Sequence, residues 1–213
     1  MNLFRAWFVL VSRYIILMKK RGSTLKNKGL IATIIVLVLV VIYGVSSYNS
    51  LVSAEEDVDN KFSQIDNQLK RRSDLIPNLV ETVKGYAKHE QEAIDSVTQA
   101  RAQLAGAKTP EDKADANQQL SGALSRLLVV VEKYPDLKAN ENFRSLMDSL
   151  EGTENRLAVA RKDYNDEVAK YNKSVKRFPK SMLAGTFGFE KKPYFEVTNE
   201  EKEAPKVDFG SDK

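Results

Sequence analysis

The chain contains no cysteine, which excludes disulfide staples, thiolate metal sites and a cysteine nucleophile. It has one histidine, His89, so a metal centre built on several imidazoles is excluded too. His89 reads as a solvent-facing residue of the second helix, with no nucleophile near it in sequence. Glycine and proline are sparse, ten and six in 213 residues, and no glycine-rich loop follows a strand to cradle a phosphate. Acidic residues are missing from the first 28 positions. That stretch holds seven basic groups: Arg5, Arg13, Lys19, Lys20, Arg21, Lys26 and Lys28. The whole chain has 33 basic and 29 acidic side chains, so removing those seven leaves 26 against 29. Beyond residue 28 the chain is mildly acidic and has no basic stripe, and nucleic acid is not an expected partner.

Charge of either sign is absent between residues 29 and 54, where the sequence is dominated by Ile, Leu and Val. A helix over residues 29–47 would be about 28 Å long at ~1.5 Å per residue, matching the hydrocarbon core of a bilayer. Basic residues lie on its N-terminal side only, and Glu55, Glu56, Asp57 and Asp59 follow it. The positive-inside rule then places the N-terminus in the cytoplasm and everything after residue 48 outside it. A cleaved secretory signal is the alternative, with Val52-Ser53-Ala54 as the cleavage site. The apolar run is longer than the ~7–15 residues of a signal's hydrophobic region, which favours a retained anchor. Residues 3–18 are also apolar but contain Arg5 and Arg13, each costing about 2.5–3.5 kcal/mol near a bilayer centre. Met18-Lys19-Lys20-Arg21 makes an ordinary anchor start, so translation from Met18 is the preferred reading of residues 1–17. An interfacial amphipathic helix is the structural alternative.

Beyond the anchor, apolar residues recur at helical spacing in four stretches. The first contains Leu51, Val58, Phe62, Ile65 and Leu69. Pro77, after Leu75-Ile76, predicts a kink or a restart. The second runs through Leu79, Val83, Ala87, Ile94, Val97 and Leu104. Thr109 then caps a third helix with Pro110 in its first turn, carrying Ala114, Leu120, Leu124, Leu127, Leu128 and Val131. The fourth starts at Asn140 and carries Phe143, Leu146, Leu150, Thr153, Leu157, Ala160, Tyr164, Val168, Tyr171 and Val175. No stretch alternates as a strand would. The expected fold is all-α: a transmembrane helix followed by an elongated antiparallel four-helix bundle. The expected organisation is a basic segment over 1–28, an anchor over 29–47, a bundle over 48–178 and a tail over 179–213. Within the tail, residues 185–189 and Tyr194-Phe195 can dock on the bundle. From about residue 198 it is expected to be disordered.

The string Arg71-Arg72-Ser73-Asp74-Leu75-Ile76-Pro77-Asn78-Leu79-Val80-Glu81-Thr82-Val83-Lys84-Gly85-Tyr86 closely resembles the signature of the LemA family. Tyr134-Pro135-Asp136-Leu137-Lys138-Ala139, Asn142-Phe143 and Gly152-Thr153-Glu154-Asn155-Arg156-Leu157 extend the resemblance. So do Ala160-Arg161, Tyr164-Asn165, Tyr171-Asn172, Phe187-Gly188-Phe189 and Tyr194-Phe195. It covers roughly residues 30–197, and residues 1–17 fall outside it. It implies a bacterial single-pass membrane protein with a helical exposed domain, and no particular reaction.

The candidate polar cluster consists of Arg71, Arg72, Asp74 and Asn78, with Glu154, Asn155, Arg161 and Asn165 from the fourth helix. Its expected role is to set helix register, with an Arg71 or Arg72 to Glu154 pair at its centre; a partner surface is the alternative. Tyr164-Asn165 and Tyr171-Asn172 are one heptad apart and share a helix face. No convergent set of catalytic groups, cofactor site or metal site is expected. The functional reading is a membrane-anchored, non-enzymatic scaffold or adaptor of the bacterial envelope. Its partners would be lipid, through residues 29–47, and a protein partner or a second copy. The alternative is an extracytoplasmic ligand-binding or sensor-like module.

Overall fold

The computed structural model describes residues 28–196 and divides the chain into two units, Met1–Ser47 and Tyr48–Lys213. The expectations for the start at Met18, for residues 1–27 and for a disordered end lie outside the described residues. Six helices make up the described secondary structure: α1 Lys28–Tyr86, α2 Gln91–Gly106, α3 Pro110–Val131, α4 Pro135–Ala139, α5 Glu141–Lys176 and α6 Lys180–Phe187. No strand occurs among the described residues.

In the first unit, the α1 residues up to Ser47 are apolar in all directions. Ile35, Val36 and Leu37 are consecutive, so they face three different sides, and all three are more than half exposed. None of the described residues covers them. Such a surface suits lipid, where a helix keeps every backbone hydrogen bond internal. It is the one helix among the described residues long and apolar enough to cross a membrane.

In the second unit the pattern narrows to a stripe. Leu51, Val58, Ile65, Leu69, Ile76, Leu79 and Val83 are buried on one face of α1. The restart that Pro77 could have caused does not occur: α1 continues through it to Tyr86. Proline has no N–H to give the carbonyl of Ser73, one turn back. Arg101 of α2 supplies the missing donor, Nε to the Ser73 carbonyl at 3.0 Å. A tertiary contact replaces the bond whose loss ordinarily breaks a helix.

The second predicted helix is also corrected. Its N-terminal half belongs to α1, and its C-terminal half is α2. A turn over Ala87, Lys88, His89 and Glu90 separates them, so His89 sits in this turn and not on a helix. Buried Ala87 and Ile94 keep seven-residue spacing across the turn.

α3 begins as its sequence predicts. Thr109 Oγ1 accepts from the Asp112 backbone N–H at 3.1 Å, and Asp112 accepts from the Thr109 backbone N–H at 3.4 Å. This reciprocal cap satisfies two amides of the first turn. On α5, Asn140 Oδ1 caps the Phe143 N–H at 3.0 Å. Phe143, Leu150, Thr153, Leu157, Ala160, Tyr164, Val168 and Tyr171 then form the buried stripe.

The four long helices α1, α2, α3 and α5 form the bundle around one core. α2 has 16 residues and α3 has 22, against 36 in α5. Neither therefore runs the full length of α5. The C-terminal segment packs against the later turns of α5, with Phe195 buried in the same core.

Candidate functional site

Arg72 lies on the inward stripe of α1, between Leu69 and Ile76, where an apolar residue would be ordinary. It is 5% exposed. Its Nη1 donates to Asn117 Oδ1 at 2.6 Å and its Nη2 donates to Ser121 Oγ at 3.0 Å, both on α3. From α5, Glu154 Oε2 stands 2.6 Å from Nη1. One guanidinium thus joins three helices. The Glu154 contact is a charge pair without an aligned hydrogen bond, since Glu154 Oε2 and Arg72 Nε are buried with no hydrogen-bond partner. Burial lowers the Arg72 pKa and Glu154 opposes the shift. The group stays a cation, as arginine does in proteins.

A second polar centre lies further along α5. Asn172 accepts from the Lys192 N–H and donates to the Lys192 carbonyl, both at 2.9 Å. Asn165 treats Phe195 the same way, at 2.8 and 3.3 Å. Seven helical residues advance about 10.5 Å, and three extended residues about 10 Å. The two asparagines therefore match the backbone of the extended segment residue for residue. Tyr164 Oη adds a bond to the Pro193 carbonyl at 2.8 Å. Burial, aided by Glu111 and Asp59, pushes the Tyr164 pKa up to about 12. Arg161 lies over the Phe195 ring at 5.4 Å. Lys192 pairs with Glu55 at 2.9 Å and Asp59 at 3.5 Å. Burial lowers the Lys192 pKa, but its two carboxylate partners outweigh this, and the net shift is upward.

The predicted cluster is therefore divided. Arg72 and Glu154 meet, while Arg161 and Asn165 belong to the clamp on the C-terminal segment. Arg71 and Asn78 are exposed on α1. Asp74 lines an open groove of about 370 Å³ with Asp66, Arg101 and Lys113. Asn155 lines a different groove of about 660 Å³, between α1 and α5, with Gln64, Asn67, Gln68 and Arg156. Asn117, Ser121 and Lys192 are participants the sequence reading omitted. Asn117 carried a signal, since it stands three residues from both Ala114 and Leu120 on the inward face. Among the described residues, no group of three acidic or histidine side chains gathers as a metal site would require.

The LemA family profile matches residues 61–209, well over half of the chain. The chain belongs to the LemA family. Among its relatives, Magnetosome protein MamQ 2 of Paramagnetospirillum magneticum is 27% identical over 175 residues, covering 70% of this chain and 64% of the relative. Protein LemA of Metamycoplasma hominis is 23% identical over 137 residues, covering 64% of this chain and 63% of the relative. The chain thus spans a little under two thirds of the length of these relatives. Neither name states a reaction. LemA-family membership and the apolar part of α1 together identify a membrane-associated protein.

Proposed function

We propose that this LemA-family chain is a non-enzymatic scaffold or adaptor, anchored through residues 29–47 with its bundle outside the cytoplasm. The observation that carries this reading is how the buried polar groups are used. Arg72, Asn117 and Ser121 join helices to one another, and Asn165 and Asn172 hold the chain's own backbone. Those groups serve architecture, which leaves the exposed surface to serve a partner. The α1–α5 groove is the surface favoured for that role. It is lined by amides, which can match a partner's backbone, and Val159 beside it is 62% exposed. The one-sided basic cluster before residue 29 supports the orientation.

A photo-crosslinking residue at Val159 tests the assignment in cells. The scaffold reading predicts a discrete crosslinked protein of constant mass, lost when Gln64, Asn67 and Gln68 are changed together to glutamate. Crosslinks that are diffuse, and equal to those from exposed Val129 on α3, would contradict it. The ligand-binding alternative predicts instead that cell-wall fragments raise the thermal midpoint of the purified protein.

A further inference from the structure

The surface around α6 has a composition unlike the rest of the bundle. From residue 173 to 189 the chain carries Lys173, Lys176, Arg177 and Lys180 and no acidic residue, although beyond residue 28 it is net acidic. In this same run Phe178 is 75% exposed, Met182 67% and Phe187 57%. Ala184 is the buried residue of α6, and Met182, two positions away, projects about 200° round the helix from it. Large apolar groups left in water cost about 25 cal/mol per Å², so three of them beside four cations call for an apolar, anionic cover.

The contacts of α6 suggest what that cover is. The rings of Phe187 and Phe189 meet Tyr48 edge-on, with centroids 5.0 and 5.7 Å apart. Lys180 Nζ donates to Ser50 Oγ at 2.9 Å. Tyr48 is the residue directly after the apolar stretch 29–47. A span that ends there sets Tyr48 at the membrane–water interface, the level at which tyrosine is enriched. Whatever is held against Tyr48 comes to the same level.

We propose that residues 173–189 form a second membrane contact. Phe178, Met182 and Phe187 enter the headgroup boundary, and Lys173, Lys176, Arg177 and Lys180 meet anionic phospholipid headgroups. Continuity with the span and charge of a single sign favour lipid over a protein groove. The inference rests on the reading of residues 29–47 as a membrane span.

The chain has no cysteine, so single-cysteine labelling of the full-length protein is clean. An environment-sensitive fluorophore is placed at Met182→Cys, with Val129→Cys as an exposed control and Val40→Cys in the span. Each protein is reconstituted in phosphatidylcholine vesicles containing nitroxide lipid labelled in the headgroup region, to read positions 182 and 129, or deep in the acyl chain, to read position 40, with and without phosphatidylglycerol. Quenching at position 182 should exceed that at 129 by about twofold or more, as for an interfacial helix, and rise with phosphatidylglycerol. The combined K173Q, K176Q, R177Q and K180Q variant should lose that rise. Equal quenching at 182 and 129, with position 40 still quenched, overturns this inference alone. Absence of quenching at position 40 as well overturns the anchoring reading with it. A fluorophore at 182 that is shielded from water yet untouched by lipid nitroxide would place a protein, such as a second copy, on the patch and overturn the lipid assignment.

Discussion

Arg101 provides a direct test of why α1 survives Pro77. Replacing it with Met keeps the aliphatic stem and removes the donor to the Ser73 carbonyl, which lies 3.0 Å from Nε. A hydrogen bond from a charged donor is worth about 1.5–3 kcal/mol. Arg101 and Ser73 are both half-buried, so water recovers part of that. The expected cost of R101M is about 1 kcal/mol of the second unit's stability. In a P77A background, the new alanine donates its own N–H to the Ser73 carbonyl, and the same substitution should cost less by most of that ~1 kcal/mol. Asp66 and Asp74 line the same groove as Arg101, and their charge acts on it equally in both backgrounds and cancels in the cycle difference. Urea unfolding in mild detergent, followed by far-ultraviolet circular dichroism, measures all four proteins. An equal cost of R101M in both backgrounds would refute the idea that Arg101 acts through the carbonyl freed by proline.

Three further expectations follow from the polar centres. A double-mutant cycle of R72M and E154Q should show coupling of at least about 0.5 kcal/mol in the same unfolding assay, and additive costs would separate the two residues. Changing Asn165 and Asn172 together to Ala should release the extended segment, so trypsin should cut after Lys191 faster than in the parent protein, the Lys192-Pro193 bond being resistant; unchanged cutting would mean that the clamp does not hold it. Tyr164 titrates near 12 when folded against an ordinary 10.0, so its neutral form contributes stability that is fully present below pH 10 and lost as pH rises through about 12. Y164F should flatten the loss of stability over that range, and an unchanged alkaline limb would exclude Tyr164 as its source.

The helical class and the stripe of α5 were legible because apolar residues recur there every three or four positions over many turns. Thr109 and Asn140 were legible as caps because capping is a local property of the residue at the helix start. What escaped the sequence was set by distant partners. Pro77 obeys a local rule that Arg101, 24 positions later, overrides. The turn at 87–90 hid because Ala87 and Ile94 are seven residues apart, which continues a helical period through a break. Arg72 was legible as one end of a pair with Glu154, yet its α3 partners Asn117 and Ser121 required knowing which helix lies opposite. The segment from Lys192 to Phe195 has no periodicity of its own; its position comes from the heptad spacing of Asn165 and Asn172. Phe195 was nonetheless marked as a docking aromatic by its place beside Tyr194 in an otherwise polar tail.

Accessibility in living cells distinguishes a retained anchor with the bundle outside the cytoplasm from the opposite orientation and from a cleaved signal. Single cysteines at Ser23 and at Lys88, exposed in the turn before α2, are treated with a membrane-impermeant maleimide. Position 88 should be labelled in intact cells and position 23 only after the membrane is opened, with both in the membrane fraction. Labelling at 23 but not at 88 in intact cells, or a chain with residue 88 released into the medium, would contradict that topology.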